Sequence, residues 1–268
     1  MKKPRTIIRI GRQTLTFALP ENPEATGGSR RAAKVMLEPY TVKSGMSMAA
    51  NLREAFKESA LLAIPNERVH VIIDTPTLIL PIEEFDENNM EELYRYTFPG
   101  GIHEVIVHHV MPELNCVAVF AINKDEKLVV SDHYDNVRIT PIDSHVWRHL
   151  HERSHSGQAR KLYAFFHEGW MSVAGFSKNR FRFVNTFTTN EVTDSTYYLL
   201  YVWQLLAMDQ KKDELYIVGD IPSEEELKAE LRKYVQNVFQ INPSAEFNRD
   251  PITQIPNVTY DLICLCES

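Results

Sequence analysis

The feature that most constrains the fold is a pattern of predicted elements that occurs twice along the chain. In the second half, three closely spaced runs of aromatic and β-branched residues predict an antiparallel meander at 161–167, 170–176 and 180–187. A helix follows, capped by Thr193 or Asp194, and then a strand at 214–220 whose apolar run is typical of burial on both faces.

The end of the chain predicts one more helix and two strands. Ser223 and Glu226 have the spacing of a capping box, and apolar residues continue the helical stripe as far as Val238. The segment 241–247 is a predicted strand. On a further strand, Cys264 and Cys266 would share one face, as packed or edge residues. The second half therefore has the order β-β-β-α-β-α.

The first half begins in the same way. Strands are predicted at 6–10, 14–19 and 33–40, a helix from about Ser47, and a strand at 68–74. The segment 75–123 interrupts the pattern and predicts an inserted subdomain of strands and one helix. A helix at 125–133, a strand at 137–143 and a helix at 144–155 complete this half. We expect two similar subdomains, at 1–156 and 157–268.

Composition limits the classes of function. The chain has 268 residues and a formal charge of −7, which argues against nucleic acid as the main partner. The three cysteines form no metal-type pair and fit a reducing compartment. No segment has the apolar length of a secretory signal or of a membrane span. We expect a cytoplasmic protein without membrane insertion.

Two meanders, each followed by a helix and a buried strand, have the topology of actin-like ATPases. The stretches 71–85, 139–150, 181–209 and 215–235 resemble an uncharacterised bacterial family with an actin-like ATPase (ribonuclease H-like) α/β fold. More distantly, the chain is similar to actin-like proteins of pilus assembly and cell division. The resemblance implies the fold but no activity, since the function of the closer family is itself unknown.

The resemblance also implies where a nucleotide would bind. Glycine-rich turns at the start of each half would hold the phosphates, and aspartates would hold Mg²⁺ through water. In the first turn Gly11 is present, but Arg9 stands where the aspartate would lie and would repel the ion. In the second turn Glu168-Gly169 is a single hairpin turn, and Trp170 would crowd a phosphate.

The third glycine turn and the remaining aspartate lead to the same interpretation. The resemblance also implies a Gly-Gly turn after a late strand, on which the adenosine would lie. There Gly219 is present, but Asp220 stands where the second glycine would lie and places a carboxylate beside polyphosphate. Asp143 keeps its acidic character, yet a lone aspartate at a strand end is usually a helix cap. With only 10 glycines, the chain has no other phosphate-binding loop. We therefore predict that these positions are vestigial, that no cofactor binds and that ATP is not hydrolysed.

Histidines suggest an alternative, a metal-dependent enzyme. His145 and His149, and likewise His151 and His155, are four apart on a predicted helix, a spacing that can chelate a transition metal. The segment lacks the HExxH order of a hydrolytic site, so a solvated helix and no metal are the preferred interpretation.

The prediction for function is a degenerate actin-like protein that serves as a scaffold for another protein. Tyr197, Tyr198, Tyr201 and Trp203 crowd one helix; most of these rings belong to the core, but a remainder could form a partner-binding patch. The main alternative is a switch that binds nucleotide and closes without efficient hydrolysis.

Overall fold

The strands of the protein form three sheets, two of which come from the two halves of the chain. The structure is a computed structural model that describes residues 5–20, 35–155, 157–177 and 180–267. In chain order the strands are β1 (Thr6–Ile10), β2 (Leu15–Pro20), β3 (Val35–Tyr40), β4 (Arg68–Ile73), β5 (Thr77–Pro81), β6 (Glu104–Met111), β7 (Cys116–Asn123), β8 (Asn136–Pro141), β9 (Lys161–His167), β10 (Trp170–Ser177), β11 (Arg180–Thr188), β12 (Glu214–Gly219) and β13 (Asn237–Gln240).

Most helices lie between these strands, and two follow the last strand. Short 3₁₀ turns lie at Ile82–Glu84, Pro112–Leu114 and Pro251–Gln254. The helices are α1 (Met48–Glu58), α2 (Met90–Thr97), α3 (Lys124–Ser131), α4 (Ile142–Ser154), α5 (Val192–Leu205), α6 (Glu224–Leu231), α7 (Pro243–Glu246) and α8 (Tyr260–Cys266). As expected, α1 begins after Ser47, whose side chain accepts a hydrogen bond from the Ala50 amide.

The two large sheets have the same strand order. The first is β3-β2-β1-β4-β8 and the second is β11-β10-β9-β12-β13. In each, the first three strands are antiparallel and the last two join in parallel through helical crossovers, as β1 with β4 and β9 with β12 illustrate. The predicted α/β architecture, in which each half has a three-stranded meander followed by a helix and a parallel strand, is confirmed. The predicted domain limit at 156 falls on a position outside the described residues and stays a prediction.

The segment predicted as an insertion forms the third sheet, of order β5-β7-β6. One face of this sheet packs with α2 around Tyr94, Ile106 and Val119. The other face contributes Met111 and Cys116 to the core that it shares with both large sheets. The insertion is therefore built into the molecule on one side and covered by its own helix on the other.

The core that joins the two halves is centred on α4. Val146, Trp147 and Leu150 are fully buried and pack in one cluster with Phe165 of the second sheet and Ile263 of α8. Burying one such side chain stabilises the folded state by about 1.5–3 kcal/mol. Because this cluster draws on both sheets, apolar packing holds the halves together.

Two predicted helix starts are wrong. α5 begins at Val192 after Glu191, so neither Thr193 nor Asp194 is its cap, and Asp194 instead accepts a hydrogen bond from the Asn190 amide. Ser223 precedes α6 in a left-handed conformation and its side chain makes no capping hydrogen bond. In that conformation the side chain does not adopt the extended geometry that a capping box requires.

The chain end also differs from the prediction. α6 ends at Leu231, the strand lies at 237–240 rather than 241–247, and Asn242 caps α7 with Pro243 as its first residue. An Asn-Pro pair is a helix start signal that outweighs the apolar pattern of 241–247. Cys264 and Cys266 lie on helix α8 and not on a strand, because packing against α4 stabilises this short helix.

Candidate functional site

Two hairpin turns, one from each half, lie in contact with each other. In the first half the Gly11 amide donates to the Thr14 carbonyl at 2.8 Å, which closes the turn between β1 and β2. In the second half Glu168 and Gly169, both at positive φ, form the two-residue turn between β9 and β10. These are the turns that the sequence singled out.

Arg9 joins the two turns. Its side chain is 1% exposed, and its Nη1 donates to Oε1 of Glu168 at 2.7 Å while its Nε donates to Oδ2 of Asp261 at 2.8 Å. Burial alone would lower the pKa of Arg9, but the carboxylates of Asp261 and Glu168 raise it above its usual value. The guanidinium is therefore a permanent cation, paired with one carboxylate from the second turn and one from α8.

Glu168 in turn binds the first hairpin directly. Its Oε2 accepts from the Gln13 amide at 2.9 Å, and its Oε1 accepts from the Thr14 hydroxyl at 2.7 Å. Burial opposes ionisation of this carboxyl, yet the hydrogen bonds from Arg9 and Thr14 lower its pKa below the usual value. Arg9, Thr14, Glu168 and Asp261 are called the Arg9 cluster below.

The Arg9 cluster explains the glycine at position 11. A Cβ atom there would overlap the carboxylate of Glu168 and the hydroxyl of Thr14. Gly219, at the end of β12, has a φ of +94°, and a Cβ there would overlap the Phe166 carbonyl. That carbonyl accepts from the Asp220 amide at 2.9 Å. Both glycines serve close packing of this protein's own atoms.

A second polar cluster lies beside the first. Nδ1 of His167 is 2.8 Å from Oδ2 of Asp74, and both residues are buried. Nε of Arg12 lies 3.2 Å from Oδ1 of Asp74, and its guanidinium stacks 3.7 Å from the ring centroid of Trp170. Trp170, which the sequence predicted to crowd a phosphate, thus lies against an arginine of the first half.

The second cluster continues through a serine to Asp143. Nε2 of His167 is 3.1 Å from the Ser172 hydroxyl, which donates to Oδ2 of Asp143 at 3.1 Å. Burial raises the pKa of Asp143 to about 6. Burial opposes protonation of His167, but its hydrogen bond to Asp74 raises its pKa. Arg12, Asp74, Asp143, His167 and Ser172 are called the His167 cluster below.

Burial limits the chemistry of the His167 cluster, and Asp143 does not have the role that the sequence predicted. Asp74, His167 and Ser172 follow the order of a catalytic triad, but Ser172 is fully buried in β10, so no substrate carbonyl reaches its hydroxyl. Asp143 is not the predicted cap, because α4 begins at Ile142, two residues before the predicted start, with Pro141 before it. Its carboxyl instead meets the second half through Ser172.

The structure brings together most of the residues singled out from the sequence. Arg9, Gly11, Glu168 and Gly169 meet at the paired turns. Gly219 ends the neighbouring strand β12, and Asp220 follows it. Sequence reasoning missed Asp74, His167 and Asp261. The first two follow or end buried strands, a position that could have drawn attention to them, whereas no local signal marks Asp261.

The histidines of α4 do not form one solvated row. His145 is buried, and its Nε2 shares the Thr140 hydroxyl with Nε2 of His70, each at 2.9 Å. Burial lowers the pKa of His145 well below its usual value, so the ring is neutral. His151 is buried too, and His149 contacts Glu246 at 3.1 Å. Among the described residues, no group of three or more His, Cys, Asp or Glu is placed to hold a metal ion.

The aromatic helix α5 is divided between core and surface. Trp203 is buried in the second sheet's core, while Tyr197 and Tyr201 are 64% and 52% exposed with their rings stacked at 6.3 Å.

Within the described part of the chain, no helix is long and apolar enough to cross a membrane.

Solved structures with the same architecture define the class of fold. A Bacteroides thetaiotaomicron protein described as having an actin-like ATPase fold and unknown function matches with a TM-score of 0.83 and 25% identity, covering 94% of each chain. PilM, solved in the PilM-PilN type IV pilus biogenesis complex, matches with a TM-score of 0.58 and 15% identity, over 94% of this chain and 92% of its own. The chain therefore has an actin-like ATPase fold.

Within this class, the chain belongs to the family described as Protein of unknown function (DUF3822), whose model matches residues 7–238. The resemblance to a family of unknown function is thereby confirmed. No curated protein matches the chain.

Proposed function

We propose that this protein is a non-catalytic member of the actin-like fold that binds another protein. The observation that carries the proposal is the Arg9 cluster, in which Arg9 of the first turn is paired with Glu168 of the second at 2.7 Å and with Asp261 at 2.8 Å. The turns that would receive phosphates are instead bonded to each other.

The charges of the Arg9 cluster support the interpretation that the space between the paired turns does not fit ATP·Mg²⁺. A polyphosphate between the turns would have to displace the Glu168 carboxylate and would lie near Asp220. Removing either partner of a buried ion pair leaves the other charge uncompensated, which costs about 3–5 kcal/mol. Arg9 offers no oxygen ligand to a hard cation and repels it. The residues present do not fit the nucleotide.

Features away from the cleft support protein binding. Tyr197 and Tyr201 expose stacked rings on α5, and exposed tyrosines are frequent anchors at interfaces. PilM, which shares the fold, forms a complex with PilN, so the fold is compatible with such a role. The free thiols of Cys116, Cys264 and Cys266 support a location in the reducing cytoplasm.

The first experiment measures thermal unfolding with and without ATP·Mg²⁺, together with phosphate release. We expect no change of Tm at millimolar nucleotide and no phosphate. A ligand at a hundred times its Kd would add about 2.7 kcal/mol and raise the Tm by several degrees. Such a rise without phosphate would favour the alternative, a nucleotide-dependent switch, and phosphate release would make the protein an ATPase.

A second experiment tests protein binding in cells that produce the protein. A photo-crosslinking residue replaces one exposed side chain on each of several surfaces: Tyr96, Leu128, Arg182 and Tyr201. We expect crosslinks to another protein from at least one position. Absence of crosslinks from all four would contradict the binding role.

A further inference from the structure

A groove of about 800 Å³ separates the inserted sheet from the second half of the protein. Its inserted side combines apolar residues with an acidic rim. The apolar part includes Ile79 of β5 together with Leu114 and Cys116, which are 6% and 3% exposed. The other side of the groove is β11. The volume lies in the range of about 300–1,000 Å³ that is usual for ligand sites.

The wall formed by β11 is the edge of a sheet. β11 is the outer strand of the second sheet, and the five consecutive residues 180–184 line the groove. Successive side chains of a strand point to opposite faces, so consecutive lining residues mean that the groove runs along the strand edge. A bulge at Arg182 leaves that residue without a partner in β10 and redirects its side chain.

Two arginines on this wall form no ion pair within the part of the chain that the structure describes. Arg180 and Arg182 are exposed, and neither forms an ion pair with any residue that the structure describes. By contrast, Arg160 pairs with Asp213 at 2.6 Å. Glu83 and Glu113 lie on the inserted side, so the groove is positive along β11 and negative along the opposite rim.

We propose that this groove binds an extended peptide segment of a partner protein. The segment carries carboxylates toward Arg180 and Arg182 and an apolar side chain onto Ile79 and Leu114. Planar guanidinium groups bind carboxylates with two parallel hydrogen bonds, which supplies both affinity and orientation. This inference rests on the proposed protein-binding function and assigns a site and a partner chemistry to it.

Charged residues and bulges on an edge strand also serve to prevent strand-to-strand aggregation. That role alone needs no apolar surface opposite the arginines and gives no preference between acidic and basic peptides. The two interpretations therefore differ in a measurable way, which is the dependence of peptide binding on charge.

The test titrates the full-length protein with a fluorescein-labelled peptide of alternating valine and glutamate. About seven residues suffice, because five strand residues span about 16 Å. Fluorescence anisotropy should give saturable binding with a Kd below about 1 mM, at least about tenfold tighter than peptides in which glutamine or lysine replaces glutamate. Equal binding of the three peptides, or none, would overturn the proposal.

The matched variants locate the binding. Arg180→Glu with Arg182→Glu should abolish the preference for glutamate and favour the lysine peptide. Arg53→Glu with Lys57→Glu, on exposed positions of α1, changes the net charge equally and should leave the preference intact. Equal effects of the two double variants would show long-range charge only, which would overturn the site. Unchanged melting curves confirm that both are folded.

The crosslinking experiment separates the two proposals. Crosslinks from Tyr201 but not from Arg182 would overturn the groove and leave the binding function intact. Crosslinks from Arg182 that disappear with the Arg180→Glu variant would support both. No crosslink from any position would overturn the binding function.

Discussion

Single side chains set the character of the cleft, and their charges are matched over long distances in sequence. Arg9 is buried with Asp261, which is 252 positions away, and with Glu168 of the other half. A buried charge is tolerated only when its partners recover the free energy lost on leaving water. The free energy of unfolding should therefore fall strongly when one charge of the cluster is removed, and much less when all of its charges are removed together.

Arg9→Met tests this balance. The variant leaves the buried carboxylate of Asp261 and the partly buried carboxylate of Glu168 without their shared cation, so we expect the free energy of unfolding to fall by about 3–5 kcal/mol. The triple variant Arg9→Met, Glu168→Gln, Asp261→Asn removes all three charges and should recover most of this loss. Urea unfolding measures both. A triple variant no more stable than Arg9→Met would show that the charges are not the cause.

Asp143→Asn tests the buried acid of the His167 cluster. Burial raises the pKa of Asp143 to about 6, above its unfolded value, so the folded protein holds this proton more tightly. Wild-type stability should therefore fall as pH rises through about 4 to 6, and the asparagine variant should avoid that fall. We expect the variant to be more stable by on the order of 3 kcal/mol at pH 8, and the difference to vanish near pH 4.

The measurement is the Tm of both proteins from pH 4 to pH 8. The neighbouring charges are Asp74, His167, Asp261 and Arg12, and Ser172 donates to the carboxyl. Ser172→Ala removes that donor without changing charge. It is the control that separates the loss of a hydrogen bond from the loss of the Asp143 charge. A variant that is less stable than wild type at pH 8 would mean that Asp143 is ionised and stabilising.

Among the elements, α8 connects distant parts of the molecule. It packs against α4, places Asp261 on Arg9 and buries Leu262 and Ile263 in the core shared by both sheets. With seven residues it is too short to be stable alone. Its helical form depends on the surface that receives it, which is why the sequence pattern alone predicted a strand.

Two leucines of α8 test its docking. Leu262 is 1% exposed, whereas Leu265 is only partly buried at the edge of the same core. Leu262→Ala should lower the free energy of unfolding by about 2–5 kcal/mol, and Leu265→Ala by clearly less. Urea unfolding under identical conditions compares them. Equal losses would mean that the helix is not oriented as described.

At the scale of the whole molecule, the two halves share one core and two polar clusters. Val146 and Trp147 of α4 pack with residues of both sheets, and the Arg9 cluster joins the turns of both halves. Separating the halves would expose apolar surface and break buried ion pairs together. Both costs oppose independent unfolding of either half.

We therefore expect one cooperative unfolding transition. Hydrogen exchange in increasing urea should remove protection from β4 of the first half and β12 of the second at the same concentration. Arg9→Met should lower that concentration for both strands alike. Different midpoints for the two strands in the wild-type protein would contradict the shared core.

The sequence predicted the repeated strand order because buried strands and hairpin turns leave local signals. The signals at Gly11, Glu168 and Gly169 likewise identified the paired turns. The sequence could not predict that Arg9 and Glu168 bind each other, since that contact depends on how the two halves dock. Asp261 was missed for the same reason: a carboxylate on a short helix becomes buried only through tertiary packing.

The Arg9 cluster also bears on how such a protein can change over evolutionary time. An aspartate at position 9 alone would place a third carboxylate against Glu168 and Asp261, and a neutral residue at either acidic position would leave part of the Arg9 charge unmatched. Each of these single substitutions passes through a less stable protein. The three charges therefore hinder a return to a metal-binding cleft by single substitutions. This holds even where there is no selection against such a cleft.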